Sequence, residues 1–282
     1  MKTCKQFNIK TPLNYSLVAT EFLADKTESV VVILSATGVL QNYYYKLASF
    51  LQQHNYTVYT FDYSGIGKSK TVPLTKFDTT LSNWATNDIE SVFKHIKKLH
   101  PTKKINCIGH SLGGQLLGLV PSNKLIHHTI LVASQSNHYS FWKGFNKVKV
   151  YFNWFIIFPF FTSMFKYLPS KLFIKMENLP KSVAKEFSKW SKQKEYYFSK
   201  KILTEKYHHQ ITKKITAYSC TNDKFAPKKA VDWLTNTYTN AITTRKHLLP
   251  KDYKVQEIGH FGFFRKQFKD SIWKEFLQDL QN

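Results

Sequence analysis

Five residues constrain this chain more than any others: Gly109-His110-Ser111-Leu112-Gly113. The β-branched run Ile105–Ile108 precedes them, and a small-residue and leucine run, Gly113–Leu119, follows. A G-x-S-x-G sequence between a strand and a helix describes a tight, strained turn that lifts a serine hydroxyl clear of a sheet. Side chains two positions either side of that serine would collide, so both positions need glycine. The following helix begins with unpaired N–H groups, and its N-terminus favours developing negative charge. The sequence therefore predicts Ser111 as a nucleophile and the backbone N–H of Leu112 as a donor to an oxyanion.

The rest of the chain supplies the sheet such a turn requires. Val30–Leu34, Tyr56–Phe61, Ile105–Ile108, Thr129–Ala133, Ile215–Ser219 and Lys254–Ile258 read as strands. Phe7–Ile9 and Ser16–Thr20 suggest an antiparallel edge. Helical patterns lie between them. Tyr44, Leu47, Ala48 and Leu51 share one face, with Asn55 as a stop. Ser82 is placed to cap a helix carrying Ile89, Val92, Phe93, Ile96 and Leu99. Phe268, Ile272, Phe276 and Leu280 form a core stripe near the end. Alternating strands and helices predict an α/β fold, a mainly parallel sheet covered on both faces.

Residues 135–210 break the rhythm. They are aromatic and lysine-rich without a clear strand, and read as a helical cap inserted into a core of residues 1–134 and 211–282. Phe152–Phe165 is strongly apolar, but it falls short of the roughly 20 residues needed to span a bilayer, and Asn153 and Pro159 interrupt it.

Charge narrows the partners. Forty-one Lys and Arg face 18 Asp and Glu, a net charge of +23, and the only arginines are Arg245 and Arg265. Sequence-reading and phosphate-clamping proteins favour arginine forks, so specific nucleic-acid binding is not expected. Weak contact with an anionic membrane surface is the more natural consequence. Three scattered cysteines, Cys4, Cys107 and Cys220, give neither a disulfide framework nor a metal spacing. No H-E-x-x-H motif occurs, so no metal site or cofactor is expected. The opening residues hold no apolar run of signal-peptide type, which suits a reducing cytoplasm. Gly67-Lys68-Ser69 imitates the end of a phosphate-binding loop. Asp62 stands where that loop needs its first glycine, and its carboxylate would repel phosphate.

Four motifs carry a family resemblance. They are Ala36-Thr37-Gly38-Val39 after the strand Val30–Leu34, the loop from Phe61 to Ser69 with its D-x-x-G-x-G-x-S pattern, Gly109–Gly114, and Gly259-His260-Phe261-Gly262-Phe263-Phe264-Arg265. Through these the chain resembles the α/β-hydrolase superfamily along nearly its whole length. It is most similar to the branch near the serine aminopeptidases and monoacylglycerol-lipase-like proteins. Thr37 stands where many relatives have histidine, and Ser64 replaces a common arginine.

The resemblance implies the remaining roles. Val39 N–H becomes the second oxyanion donor, because Gly38 lets its loop approach closely. Gly38 and His110 are assigned to the substrate pocket, with packing as the other role for His110. His260, just before the final helix, stands where the family places its base, and histidine suits proton transfer near neutral pH. Asp223 follows the strand Ile215–Ser219 and matches the family acid, giving the order serine, acid, histidine. Asp62 and Asp88 are read as turn and helix-start residues. The expected chemistry is acyl transfer on a small-molecule or lipid-like ester. Amide cleavage, acyl transfer to an acceptor other than water, and a binding scaffold without catalysis remain alternatives. The cap aromatics Tyr151, Trp154, Phe155, Phe158, Phe160 and Phe161 could line an apolar pocket or touch lipid. Oligomeric state is not readable from the sequence.

Overall fold

A computed structural model describes residues 4–173, 176–202 and 205–281. Residues 174–175 and 203–204 lie outside the described residues, as do both chain ends. The strands in chain order are β1 (Cys4–Lys10), β2 (Ser16–Phe22), β3 (Ser29–Leu34), β4 (Tyr56–Phe61), β5 (Ile105–His110), β6 (Ile126–Val132), β7 (Tyr167–Leu168), β8 (Leu179–Pro180), β9 (Lys214–Cys220) and β10 (Ile242–Leu248). Eight form one sheet in the order β1-β2-β4-β3-β5-β6-β9-β10, and β7 pairs with β8 alone. From β4 to β10 every neighbour is parallel. β1 and β2 form an antiparallel edge.

The apolar runs follow from burial on both sides. All six residues of β3 are buried. Val30, Val32 and Leu34 enter the core on one face, while Val31 and Ile33 enter the core on the other, as the two-residue period of a strand requires. Helix Tyr45–Gln53 ends where the sequence suggested, with Asn55 at φ 67°.

One expected strand is misplaced. Lys254–Ile258 is a loop, and the last strand is β10. β10 lies on an edge and carries the paired polar side chains Arg245, Lys246 and His247, which hid it from a hydropathy reading. Arg245 binds Asp232 and the β9 backbone, and Lys246 binds Asp279. Lys254 is left-handed at φ 54°, and Ile258 is buried as a loop anchor, which gave the loop its apolar signal.

The cap of the helix carrying Ile89 to Leu99 also shifts. Thr80, not Ser82, accepts from the N–H of Asn83. Ser82 instead gives its N–H and hydroxyl to Glu186, in the segment between β6 and β9. Asp62 serves a turn, accepting from Gln41 N–H at 2.8 Å and Lys68 N–H at 3.0 Å. Asp88 is not at a helix start. It is fully buried inside the π-turn Trp84–Ile89, accepting from Tyr15 OH and, at 2.8 Å, from Ser64 N–H.

Burial raises the Asp88 carboxyl to about 6, from an ordinary 3.8. The folded state then holds this proton more tightly than the unfolded chain. No penalty exists below the unfolded value. It grows as pH rises through the folded one, reaching ~3 kcal/mol. Asp88→Asn keeps an acceptor for Ser64 and offers a donor to Tyr15. Its melting temperature should gain on wild type as pH rises from about 4 to about 7. A difference independent of pH would contradict the assignment.

Between β6 and β9 the chain is mainly helical. Helix Gly144–Phe165 runs unbroken for 22 residues, so Asn153 and Pro159 do not interrupt it. A π-turn at Asn153–Ile157 absorbs the proline. Pro159 has no N–H for the Trp154 carbonyl, and Ser188 Oγ donates to that carbonyl instead. By length and composition the helix is long and apolar enough to cross a membrane, unlike the shorter run taken from the sequence.

Candidate active site

The elbow is built as its spacing demands. Ser111 sits at φ 50°, ψ −115°, between the end of β5 and helix Leu112–Leu117. That backbone is costly for any residue with a Cβ and survives because its surroundings hold it. Ser111 N–H donates to Val132 O at 2.9 Å, and its carbonyl accepts from Gly114 and Gln115. A Cβ on Gly109 would lie 2.6 Å from Gly114 Cα, and one on Gly113 would strike the Leu34 carbonyl. Both glycines are therefore required by close approach.

The acid–imidazole pair comes from two other loops. His260 Nδ1 lies 2.8 Å from Asp223 Oδ2, and both residues are 7% exposed. Asp223 Oδ1 accepts from Phe225 N–H at 2.8 Å and Ala226 N–H at 2.9 Å. A carboxylate so saturated accepts from Nδ1–H, which fixes the tautomer and leaves Nε2 as a base. Asn222 Oδ1 anchors the histidine loop by accepting from Gly259 N–H at 3.1 Å. Among the described residues the Ser111 hydroxyl makes no hydrogen bond within 3.5 Å.

A buried relay joins the serine turn to the histidine loop. His110 is fully buried, and both ring nitrogens are engaged. Its Nε2 lies 3.0 Å from His260 O, an acceptor only, so Nε2 carries the proton. Nδ1 then accepts from Tyr44 OH at 2.8 Å, and Tyr44 Oη accepts from Ala36 N–H at 2.9 Å. Burial first, and the neighbouring His260 second, hold His110 well below the usual histidine range, so it is neutral. Tyr43 adds a second tie, donating to Phe261 O at 2.7 Å. His110 is therefore a strut and not a pocket residue. Its replacement by alanine orphans Tyr44 OH and the His260 carbonyl. His110→Ala should lose about 2–4 kcal/mol in urea unfolding, from lost hydrogen bonds and packing. Unfolding that matches wild type would show the relay to be idle.

The loop after β3 needs a correction. Val39 N–H donates to Ala36 O at 3.1 Å, closing a turn around Thr37 and Gly38, the latter at φ 62°. That N–H is committed and does not serve as an open donor. Thr37 N–H and Leu112 N–H have no hydrogen-bond partner among the described residues, although both residues are buried. Gly38 N–H is likewise buried and without a partner, and buried N–H groups are rarely left unpaired, so the Thr37–Gly38 turn and Leu112 are where N–H groups stand open to an anion. Gly38 itself is covered by the segment between β6 and β9: its carbonyl accepts from Glu177 N–H at 2.8 Å, and a Cβ there would meet Glu177 O at 3.0 Å.

Tyr44, Tyr43 and Asn222 shape the site through contacts that the sequence does not announce. Three consecutive tyrosines give no sign of which two reach the histidine loop. Nor does the sequence mark Phe225, which is 53% exposed with its ring 5.4 Å from that of His260. Among the described residues no group of three or more His, Cys, Asp or Glu side chains is arranged to hold a metal.

Known proteins agree with this architecture. The family model described as serine aminopeptidase, S33, matches residues 25–219, a span that includes Ser111 but stops short of Asp223 and His260. No curated protein is significantly similar in sequence. The Pyrococcus furiosus esterase Pf2001 superposes with a TM-score of 0.64 at 18% identity, covering 99% of this chain and 91% of its own. An esterase of Exiguobacterium antarcticum gives 0.62 at 14% identity, covering 99% and 100%. Est1E from Butyrivibrio proteoclasticus, bound to ferulic acid, gives 0.61 at 13% identity, covering 98% and 100%. Identities this low carry the fold, which is that of the α/β-hydrolases. With its family match extending over more than half its length, the chain belongs to the serine aminopeptidase S33 family of α/β-hydrolases.

Proposed function

We propose that the protein is a serine hydrolase that cleaves carboxylic or lipid-like esters through an acyl-enzyme on Ser111. The observation that carries this reading is the His260–Asp223 pair at 2.8 Å, with the His260 carbonyl tied through His110 to the strained serine turn. In the first step Ser111 Oγ attacks the ester carbonyl and its proton passes to His260 Nε2. Asp223 holds Nδ1–H and stabilises the imidazolium. Leu112 N–H and an open N–H of the Thr37–Gly38 turn receive the tetrahedral oxyanion. Collapse expels the alcohol, which takes its proton from His260, and a water activated by the same imidazole then releases the acid. Phe225 offers an apolar wall beside the imidazole for the organic part of the substrate.

The test is labelling by a fluorophosphonate probe, run beside hydrolysis of p-nitrophenyl esters from acetate to palmitate. Labelling at Ser111 with ester turnover is expected, and the preferred chain length would size the acyl site. Labelling without ester turnover would move the substrate to an amide, or the acceptor away from water. A folded protein that takes no label would be a binding scaffold.

A further inference from the structure

Helix Gly144–Phe165 presents an apolar row to solvent. Phe145, Val148, Phe152, Ile156 and Phe160 recur at steps of three and four residues, so they lie on one face. Their exposures are 81%, 49%, 48%, 47% and 58%. Phe173, 54% exposed and 4.8 Å from the Phe161 ring, widens the patch. Soluble proteins rarely leave a contiguous apolar surface of this kind uncovered.

The helix is held to the domain by its other face. Trp154 and Thr162 are buried, the Trp154 ring lies 4.9 Å from Phe187, and Ser188 binds the Trp154 carbonyl. A helix packed along one side and apolar along the other fits an interface plane better than a bilayer crossing. Basic groups frame it. Residues 135–210 hold 14 lysines and 4 glutamates. Beside the helix, a groove of about 390 Å³ is lined by Pro159, Ser163, Lys185, Ser188, Lys189 and Lys192.

We propose that this face seats the protein on an anionic phospholipid bilayer, with the Phe145–Phe160 row entering the acyl region and the lysine groove taking a lipid phosphate. Charge selects this occupant over a second copy of the chain, because two faces rich in lysine repel one another. Anionic lipid instead draws each lysine toward the surface.

Flotation of the full chain with vesicles tests the proposal without any measurement of turnover, so it stands or falls apart from the hydrolase reading. The chain should float with phosphatidylcholine vesicles carrying phosphatidylglycerol, far less with phosphatidylcholine alone, and less at high salt. Phe145→Ser/Phe152→Ser changes only exposed side chains and should melt like wild type, yet bind at least about tenfold more weakly. Lys185→Gln/Lys189→Gln/Lys192→Gln should weaken binding to the mixed vesicles by a similar factor. No flotation with anionic vesicles overturns the proposal. So does undiminished binding by the phenylalanine variant, which would leave only diffuse charge adsorption. A triple glutamine variant that binds like wild type overturns the phosphate groove. A dimer in light scattering that Phe145→Ser/Phe152→Ser dissociates would assign the face to a second copy instead.

Discussion

Ser111→Ala should lower ester turnover by about 10⁵-fold, the order expected when a nucleophile that acts with its base as one unit is removed. Labelling by the fluorophosphonate probe should vanish with it. Stability should not follow activity. Alanine keeps a Cβ at φ 50°, ψ −115°, so the strain of the turn remains. Ser111→Gly removes that strain, worth of order 1–3 kcal/mol. Against this stands the extra chain entropy of glycine, ~0.5–1 kcal/mol. The glycine protein should therefore be inactive and more stable than the alanine protein by roughly 1 kcal/mol. The pair separates chemistry from conformation, since both lack the hydroxyl and only one lacks the strain. Near wild-type ester turnover in Ser111→Ala would remove the acyl-enzyme mechanism. Equal melting of the two variants would mean that the strain is no larger than the ~0.5–1 kcal/mol entropy cost of glycine.

The serine turn and the Asp223–His260 pair were legible because their chemistry is coupled to local sequence. Gly109 and Gly113 are fixed by close approach, so they mark the serine turn without any tertiary knowledge. Asp223 and His260 stand after strand and loop ends in the order the fold requires. The oxyanion loop was legible only in part. Whether Val39 or an earlier residue of the turn offers its N–H depends on which carbonyl closes the turn, and composition says nothing about that. The His110–Tyr44 relay was hidden for a related reason: it links positions 66 residues apart, and any one of Tyr43, Tyr44 and Tyr45 could have made it. β10 was hidden by its edge position, where paired Arg245 and Lys246 replace apolar residues. The long helix shows the opposite failure. An apolar stripe reads the same whether it faces a core or solvent, and only packing reveals that Trp154 turns inward while Phe145 does not.

Asp223→Asn is expected to lower kcat by about 10⁴-fold while leaving the fold intact, and the hydrogen bonds at this residue say why. Oδ1 accepts from two backbone N–H groups, Phe225 and Ala226. An asparagine must point its carbonyl at those two donors, because an amide NH2 there would face N–H against N–H. Its NH2 is thereby turned toward His260 Nδ1 and can only donate. The imidazole must then accept at Nδ1 and carry its proton on Nε2, the nitrogen that should take the proton of Ser111. The variant loses the base through the wrong tautomer and also loses the negative charge that would stabilise the imidazolium. Turnover should recover as pH rises and hydroxide begins to substitute for the missing base. Asp223→Ala lacks the tautomer trap but leaves two buried N–H groups unsatisfied, so it should melt lower than the asparagine variant. An asparagine protein with near wild-type kcat at neutral pH would show that Asp223 does not set the state of His260.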